Sequence, residues 1–327
     1  MRDELLEEQI KKTARILGLP ADFIRKDFYV TQAIQILTHI QDEYFSLVFQ
    51  GGTSLSKGYQ VIHRLSEDID FRVVLKPAAL SLGKEAKRNR LRDFRYSLVK
   101  ALSDAGFLIN QDDVKVFYEG RFMSIRASFD NASAISYLRP HIAIECFVGE
   151  LLLPTQTTEI SSLIKVTLGD ECDHLLFPVN CVSLDETAAE KWVALTRRVA
   201  TAKENSKESD KHLVRHIYDL YQLHQKSLLT GDYVAIARQV IEKDREMYKN
   251  TSEAYANNPL ETSENALNIL LNNPVWQEHW DLFLEQMVYS DDKPLFSEAY
   301  EQLKLMTQKI LDKKTESHAK QNSMLRQ

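Results

Sequence analysis

Two carboxylates separated by a single residue could together bind a divalent cation. Asp68 and Asp70 lie in the segment EDIDFRVVL (residues 67–75), whose composition predicts a β-strand. Side chains i and i+2 of a strand project to the same face, so both carboxylates should project together while Ile69 and Phe71 face the core. Paired carboxylates repel each other unless a proton or a cation lies between them, and Mg²⁺ prefers carboxylate and phosphate oxygens. We therefore expect Mg²⁺ or Mn²⁺ at this pair.

A glycine turn precedes this strand by a helix-length gap. Gly51 and Gly52 follow the apolar, aromatic run YFSLVF (residues 44–49), which predicts a buried strand. The two glycines let the backbone approach a ligand without Cβ obstruction. A helix that starts at Thr53 or Ser54 would add free N–H groups and hydroxyl donors. Such a turn suits phosphates, so we predict that these four residues hold the triphosphate of a nucleotide.

Each of the two motifs also has a simpler interpretation. An Asp-x-Asp on a strand edge is usually just solvated, and a Gly-Gly before a helix is usually only a turn. Their order, their spacing and their hydrophobic flanks favour a combined site, in which cations bridge the phosphates to the aspartates.

Composition limits the class of protein. The 327 residues are 44% hydrophobic and 27% charged, as in ordinary soluble proteins. A net charge of −6 argues against broad coating of nucleic acid, although a local basic groove is compatible with it. Three widely spaced cysteines do not form a disulfide framework, and neither a signal peptide nor an apolar membrane span is evident. We expect a cytoplasmic protein with no membrane partner.

The pattern of elements changes along the chain. After two N-terminal helices (residues 1–41), the first part alternates strands and helices, and from Ser183 onward glycine is rare and helical periodicity dominates. We expect a helix from Thr53 or Ser54 to about Ile62, a basic helix, a β-hairpin and a strand at 83–102, 112–130 and 141–149. The basic helix has seven Lys/Arg against two acids, and could equally follow an RNA backbone or form a solvated face.

Four stretches resemble the AbiEii/AbiGii nucleotidyltransferase family, toxins of abortive-infection type toxin–antitoxin systems. This family is a branch of the DNA polymerase β-like nucleotidyltransferase superfamily. The similar stretches are IRKDFYV (24–30), GGTSLSKGYQVIHRLSEDIDF (51–71), DETAAEKWVALTRR (185–198) and RHIYDLYQL (215–223).

The resemblance implies an α+β fold. A nucleotidyltransferase domain with N-terminal helices and a mixed sheet with flanking helices would span residues 1–180. An all-helical domain, residues 181–327, would complete the active-site groove.

The resemblance also implies roles for particular residues. Asp68 and Asp70 would bind the metal, and a third carboxylate would lie on a later strand. Glu145, in the alternating apolar segment HIAIECFVG (141–149), is our choice for it. Gly51, Gly52 and Thr53 would hold the triphosphate.

Lys191 would contact the nucleotide phosphates or neutralise charge during transfer, and Asp219 would orient Lys191 or assist the reaction. The residues alone leave two alternatives open. Lys191 could be a surface lysine whose stem covers apolar neighbours, and Asp219, in apolar surroundings, could form a plain structural ion pair.

The implied activity is transfer of NMP from an NTP to an acceptor hydroxyl, with the 3′ end of a tRNA as the expected acceptor. A neighbouring-gene antitoxin would be the partner. Two alternatives remain: a protein hydroxyl as the acceptor, or a catalytically silent module that uses the nucleotide pocket for binding. Labelled NTP incorporation distinguishes the acceptors, and nucleotide-dependent melting distinguishes the silent module.

Overall fold

The structure is a computed structural model that describes residues 2–129, 138–169, 172, 176–202, 210–249 and 252–312. The chain forms two compact units. The first comprises Met1–Gln60 and Leu65–Val182, and the second comprises Val61–Arg64 and Ser183–Gln327. A four-residue piece of the glycine-turn region therefore belongs to the second unit, which sequence periodicity did not indicate.

The first unit is built on a mixed seven-stranded sheet, as the α+β prediction requires. Its strands are β1 (Phe45–Gln50), β2 (Asp68–Leu75), β3 (Val114–Phe117), β4 (Phe122–Ser128), β5 (His141–Val148), β6 (Gln156–Ile160) and β7 (Phe177–Cys181). Their order across the sheet is β3-β4-β5-β2-β1-β7-β6. β2 runs antiparallel to β1 and parallel to β5, so the strand with the two aspartates lies near the middle of the sheet.

In its described residues this unit has six α-helices. They are α1 (Arg2–Leu17), α2 (Ala21–Thr38), α3 (Gly51–Thr53), α4 (Pro77–Leu80), α5 (Lys84–Asp104) and α6 (Leu163–Leu168). α2 and α5 pack on each other and contribute Ile34 and Leu98 to the core beneath the sheet. Ile69 and Phe71 are fully buried in that core. Strand alternation then directs Asp68 and Asp70 to the other face, as predicted.

The predicted basic helix, the β-hairpin and the strand at 141–149 are confirmed as α5, β3–β4 and β5. The helix after the glycines differs from the prediction. It begins at Gly51 rather than at Thr53 or Ser54, and its N-cap, Gln50, makes no side-chain capping bond. The helical path continues as a π-helix over Ser54–Gly58 and ends there, not at Ile62. Wider π-turns are rare and are often found at functional sites.

The second unit is helical in its described residues. Its helices are α7 (Leu184–Thr201), α8 (Val214–Gln225), α9 (Tyr233–Tyr248), α10 (Glu253–Asn257), α11 (Pro259–Asn272), α12 (Val275–Met287) and α13 (Phe296–Leu311). Trp192 and Trp280 are fully buried, and each indole N–H donates a hydrogen bond, to Thr307 Oγ1 at 2.9 Å and to the Pro294 carbonyl at 3.0 Å. Each large ring therefore stabilises the core without leaving its polar atom unpaired.

Among the described residues, no helix has both the length and the apolar character needed to cross a membrane.

Candidate active site

Gly51 approaches Asp70 so closely that no side chain would fit between them. Gly51 has a φ of +80°, which favours glycine, and a Cβ placed on it would lie 2.1 Å from Asp70 Oδ2. Gly52 follows within the same helical turn and is half-buried. The glycine turn therefore brings bare backbone directly against one of the predicted metal ligands.

The hydroxyl groups of Thr53 and Ser54 point inward in this structure. Both side chains are fully buried. Thr53 Oγ1 donates to the Asp68 carbonyl and lies 2.6 Å from Ser66 Oγ, whereas Ser54 Oγ donates to the Gly51 carbonyl at 3.0 Å. That these hydroxyls hold a triphosphate stays a prediction; in this structure both donate hydrogen bonds within the protein. Thr53 joins the turn to the strand that carries the aspartates, and the Ser54 bond lies within the turn itself.

Polar side chains form a row across four strands on the face of the sheet opposite the core. In the register of the strands, Asp70 is opposite Gln50 of β1 and Glu145 of β5, and Glu145 is opposite Ser124 of β4. Residues directly opposite each other in a sheet project to the same face. Glu145, chosen from sequence as the third carboxylate, is thus placed beside Asp70.

The buried thiol of Cys146 lies next to this row of polar side chains. Cys146 is buried on the core side of β5, where burial first, and then the charges of Asp70 and Glu145, raise the pKa of its thiol to about 12. Cys146 is therefore a thiol at neutral pH, not a nucleophile. The two carboxylates concentrate charge that a cation could offset.

Asp68 forms an ion pair with an arginine. Arg139 Nη1 lies 2.7 Å from Asp68 Oδ1. The backbone N–H of Arg139 donates to Glu67 Oε1 at 2.8 Å, and its carbonyl accepts from Lys26 Nζ at 2.7 Å. Lys26, itself buried, also pairs with Glu67. Through Lys26, helix α2 thereby holds both Glu67, which precedes Asp68 in sequence, and Arg139, which pairs with Asp68.

The next residue of α2 connects the helix to the π-helical turn. Asp27 Oδ1 accepts from Lys57 Nζ at 2.5 Å, and Asp27 Oδ2 accepts from the Leu163 backbone N–H at 2.7 Å. Lys57 also donates to Thr31 Oγ1 at 2.8 Å. The Lys-Asp pair at positions 26 and 27 therefore positions both parts of the site, the strand start and the turn.

Arg72 extends the same face by one more alternate position of β2. Its Nε and Nη2 atoms donate to Gln50 Oε1 at 3.0 and 2.8 Å, and its Nη1 donates to the Glu150 carbonyl at 3.1 Å. The guanidinium is buried and held in a fixed orientation. It brings a positive charge next to the row that contains Asp70.

The second unit contains a separate charged cluster, centred on Asp219. Lys191 Nζ lies 2.8 Å from Asp219 Oδ2. Arg64 donates two hydrogen bonds to the same carboxylate, from Nε to Oδ1 at 2.7 Å and from Nη2 to Oδ2 at 2.8 Å. The sequence-predicted pair of Lys191 and Asp219 is thus brought together, and Arg64 joins it from the short segment that belongs to this unit.

Burial and the neighbouring charges shift the pKa values of Asp219 and Lys191 in opposite directions. Burial raises the pKa of Asp219, but the charges of Arg64 and then Lys191 outweigh burial and hold that pKa well below its usual range. Burial lowers the pKa of Lys191, and the charge of Asp219 opposes that change. The carboxylate stays ionised, and Lys191 is a buried side chain rather than a solvated surface lysine.

The sequence matches one protein family over most of its length. A profile described as nucleotidyl transferase AbiEii toxin, type IV toxin–antitoxin system, matches residues 35–302. The chain belongs to the AbiEii nucleotidyltransferase toxin family. It is therefore a nucleotidyltransferase, and membership generally implies an NTP substrate, a divalent metal and an antitoxin partner.

Two solved structures of nucleotidyltransferases are similar to this AbiEii family member. MenT4, a nucleotidyltransferase toxin of Mycobacterium tuberculosis H37Rv, is 19% identical over 65% of this chain and 70% of its own, with a TM-score of 0.38. A predicted nucleotidyltransferase from H. pylori is 14% identical over 89% of this chain and 96% of its own, with a TM-score of 0.42. A comparison with curated proteins gives no significant match.

The donor atoms of this AbiEii family site fit a divalent ion in part. Asp70 and Glu145 are in register on parallel strands, and Mg²⁺ commonly takes one or two carboxylates together with substrate phosphates. Among the described residues, no three His, Cys, Asp or Glu side chains converge closely enough to form a complete metal site. Asp68 pairs with Arg139 instead, so the three-carboxylate set expected from sequence is not assembled here.

Several residues of the first unit's site and of the separate Asp219 cluster were not predicted from sequence. They are Lys26, Gln50, Arg64, Arg72 and Arg139. Lys26 lay within a family-like stretch, but its contact with Glu67 depends on how α2 packs. The others act through pairings between distant segments, which leave no periodic signal in the sequence.

Proposed function

We propose that this protein transfers a nucleoside monophosphate from an NTP to a hydroxyl group at the 3′ end of an RNA, with tRNA as the acceptor, in the presence of Mg²⁺ or Mn²⁺. The observation that carries the proposal is the contact of bare Gly51 backbone with Asp70, beside Glu145 on the neighbouring strand. This contact places backbone without a side chain directly next to paired carboxylates.

The triphosphate binds on the glycine turn. Gly51 and Gly52 present backbone without side chains, so phosphate oxygens can approach the N–H groups at the start of the helical turn. Arg72, held by Gln50, contributes positive charge that attracts the polyphosphate. The contribution of the turn comes from its backbone, because the Thr53 and Ser54 hydroxyls are engaged elsewhere.

Asp70 and Glu145 would hold the divalent ion, with Asp68 joining them when it leaves Arg139. Such an ion neutralises charge on the phosphates and lowers the pKa of a bound hydroxyl. The carboxylates of Asp70 and Glu145 orient the attacking hydroxyl, whose oxygen forms a bond to the α-phosphorus. The bond from that phosphorus to the β-phosphate oxygen breaks, pyrophosphate leaves, and the hydroxyl proton passes to solvent. Most of the acceleration comes from placement and charge neutralisation.

For Lys191 and Asp219 we propose a supporting role. Asp219 holds Lys191 in place, and Lys191 supplies positive charge that assists phosphate transfer. Support comes from the 2.8 Å contact between them and from their burial, since Lys191 is not a solvated surface lysine.

Incubation with each α-labelled NTP, Mg²⁺ and either total tRNA or total protein tests this function. Label should enter RNA, and sequencing of the RNA 3′ ends should show added nucleotides. RNA whose terminal diol has been oxidised with periodate is the matched control and should remain unlabelled. Label that enters protein and never RNA would overturn the RNA acceptor in favour of a protein hydroxyl. Label in neither pool with any NTP would overturn transfer to both acceptors.

A further inference from the structure

A concave surface on the first unit combines arginines with exposed aromatic rings. It lies where helix α5 meets the turn between β3 and β4, and has a volume of about 270 Å³. Arg88, Arg92 and Arg95 line it from the helix, and Phe117 and Tyr118 line it from the turn. We refer to this surface as the arginine pocket.

The positive charges of these three arginines lie close enough to repel one another. Positions 88, 92 and 95 are four and three residues apart, so they lie on one face of α5. Burial first, and then the charges of Arg92 and Arg88, lower the pKa of Arg95. Arg95 donates to the Gly120 carbonyl, which anchors the turn to the helix. Like charges held together in this way are relieved by an anion between them.

Few acids compensate this charge. Among the described residues that line the pocket, Glu119 is the one acid, and it faces Lys84 at 4.0 Å. Asp93 lies 3.7 Å from Arg92 Nε, but both side chains are more than half exposed, so that pair is weak. The pocket therefore keeps a local positive field on a chain whose net charge is −6.

The turn presents its aromatic rings outward. Phe117 is 47% exposed and Tyr118 is 71% exposed. Tyr118 and Glu119 have φ values of +52° and +55°, a region that non-glycine residues adopt at a cost. A strained turn that exposes a large ring beside guanidinium groups provides a stacking surface as well as a charge.

The pocket and the carboxylate row are connected through strand β4. The turn ends at Gly120, and Ser124 of β4, four residues later, is opposite Glu145. Four strand residues cover about 13 Å, and the two strand spacings from β4 to β2 add about 10 Å in the perpendicular direction. Because α5 packs on the core face of the sheet and the carboxylates project from the other face, an acceptor strand that joins Asp70 to the pocket has to pass around the β3 edge of the sheet, so these in-plane distances are a lower bound.

We propose that the arginine pocket binds a phosphate and a stacked base of the acceptor RNA, a few nucleotides away from its reacting 3′ end. This inference rests on the proposed RNA acceptor. Arginine suits phosphate because its planar fork donates two hydrogen bonds, and aromatic rings accept bases of any sequence. The combination favours single-stranded nucleic acid over an acidic peptide or a lipid headgroup, since neither of those presents planar bases.

The test compares two pairs of charge-neutralising substitutions. Arg88→Gln with Arg92→Gln removes two exposed pocket cations and leaves the structural Arg95 in place. Lys100→Gln with Lys115→Gln is the matched control, because it removes the same charge from exposed positions outside the pocket. Binding of single-stranded RNA is measured by fluorescence anisotropy at several salt concentrations, and transfer of labelled NMP to tRNA is measured in parallel.

The arginine variant should bind RNA at least 10-fold more weakly, and the slope of log K against log salt should fall by about 1.4, as expected for two lost phosphate contacts. The lysine control should change both quantities far less. A third variant, Tyr118→Ala, should weaken binding by about 10-fold with little change in slope, because stacking is not ionic. NTP binding, followed as a shift in melting temperature, should be unchanged in all three variants.

The outcomes distinguish this inference from the proposed function. If wild-type protein labels tRNA while the arginine variant binds and labels it equally well, the pocket assignment is wrong and the function stands. If the arginine variant also loses its response to NTP, the pocket is not specific to the acceptor and the inference is again wrong. If wild-type protein labels protein but no RNA, the RNA acceptor and the pocket assignment both fail.

Discussion

Gly51 and Asp70 are in such close contact that a methyl group on the glycine would lie 2.1 Å from the carboxylate oxygen of the aspartate. Carbon and oxygen atoms that are not bonded cannot approach to this distance, so Gly51→Ala must displace the Asp70 side chain. We predict that Gly51→Ala loses at least 100-fold in nucleotidyl transfer while the protein still folds. Activity is measured by label incorporation, and folding by circular dichroism and thermal melting.

Gly18→Ala is the matched control for this substitution. Gly18 also has a positive φ, +65°, but no atom lies within 4 Å of its added Cβ. Both variants should therefore lose about 1–2 kcal/mol of stability from the backbone alone. Equal activity of Gly51→Ala and wild type would show that the contact has no part in catalysis.

Lys26 should act on catalysis through Glu67, without touching substrate. In Lys26→Met, Glu67 loses its buried partner, and the segment that holds Asp68 and Arg139 should loosen. We predict a lower kcat with little change in the KM for NTP. Combining Lys26→Met with Glu67→Met removes the uncompensated carboxylate, so the double variant should be more stable than Lys26→Met alone. A purely structural role would lower the melting temperature and leave the kcat of the folded protein intact.

Lys191 and Arg64 bind one carboxylate, and this allows their roles to be separated. Arg64 makes two hydrogen bonds to Asp219 and Lys191 makes one contact at 2.8 Å. We predict that Arg64→Met destabilises the protein more than Lys191→Met, by a few kcal/mol, because breaking a buried pair leaves a charge uncompensated. Lys191→Met should instead lose more activity per folded molecule. The reverse ranking in activity would assign Lys191 a structural role alone.

His216 should make the stability of the protein depend on pH. Burial first, and then the charges of Lys191 and Arg215, lower the pKa of His216 well below its ordinary value of 6.5; Asp219 opposes this and Arg198 adds to it. Below pH 6.5 the unfolded chain binds a proton that the folded chain does not, so the free energy of unfolding falls as pH falls.

The slope due to this histidine is at most about 1.4 kcal/mol per pH unit. In His216→Phe the denaturation midpoint should therefore vary less between pH 7 and pH 5 than in wild type. His39→Gln, at an exposed position, controls for the loss of an imidazole. An unchanged pH dependence in His216→Phe would contradict the neutral, buried state of this residue.

Local patterns predicted much of the fold and part of the site. Alternation placed Asp68 and Asp70 on the face opposite Phe71, and it selected Glu145, which the register puts beside Asp70. Helical periodicity from Ser183 onward predicted the helical character that the described residues of the second unit show. These features depend on neighbours within one element, which a sequence displays directly.

Other features depend on contacts between distant segments. Thr53 looks like a helix cap in sequence, yet its hydroxyl bonds to the Asp68 backbone fifteen residues later. Arg64 follows the glycine turn in sequence, but it pairs with Asp219 in the second unit. Arg139 reaches Asp68 across more than seventy residues. Such pairings are set by packing, and neither propensity nor periodicity encodes them.

The most direct test of the central claim is label transfer by Asp70→Asn. Purified wild-type and Asp70→Asn proteins are incubated with α-labelled NTP, Mg²⁺ and tRNA in a single-turnover assay, and their melting curves are recorded in parallel. We predict that Asp70→Asn folds like wild type and transfers no detectable label, because the substitution removes one of the paired carboxylates that would hold the divalent ion. If Asp70→Asn transfers label at the wild-type rate, Asp70 has no catalytic role and the proposed site is wrong.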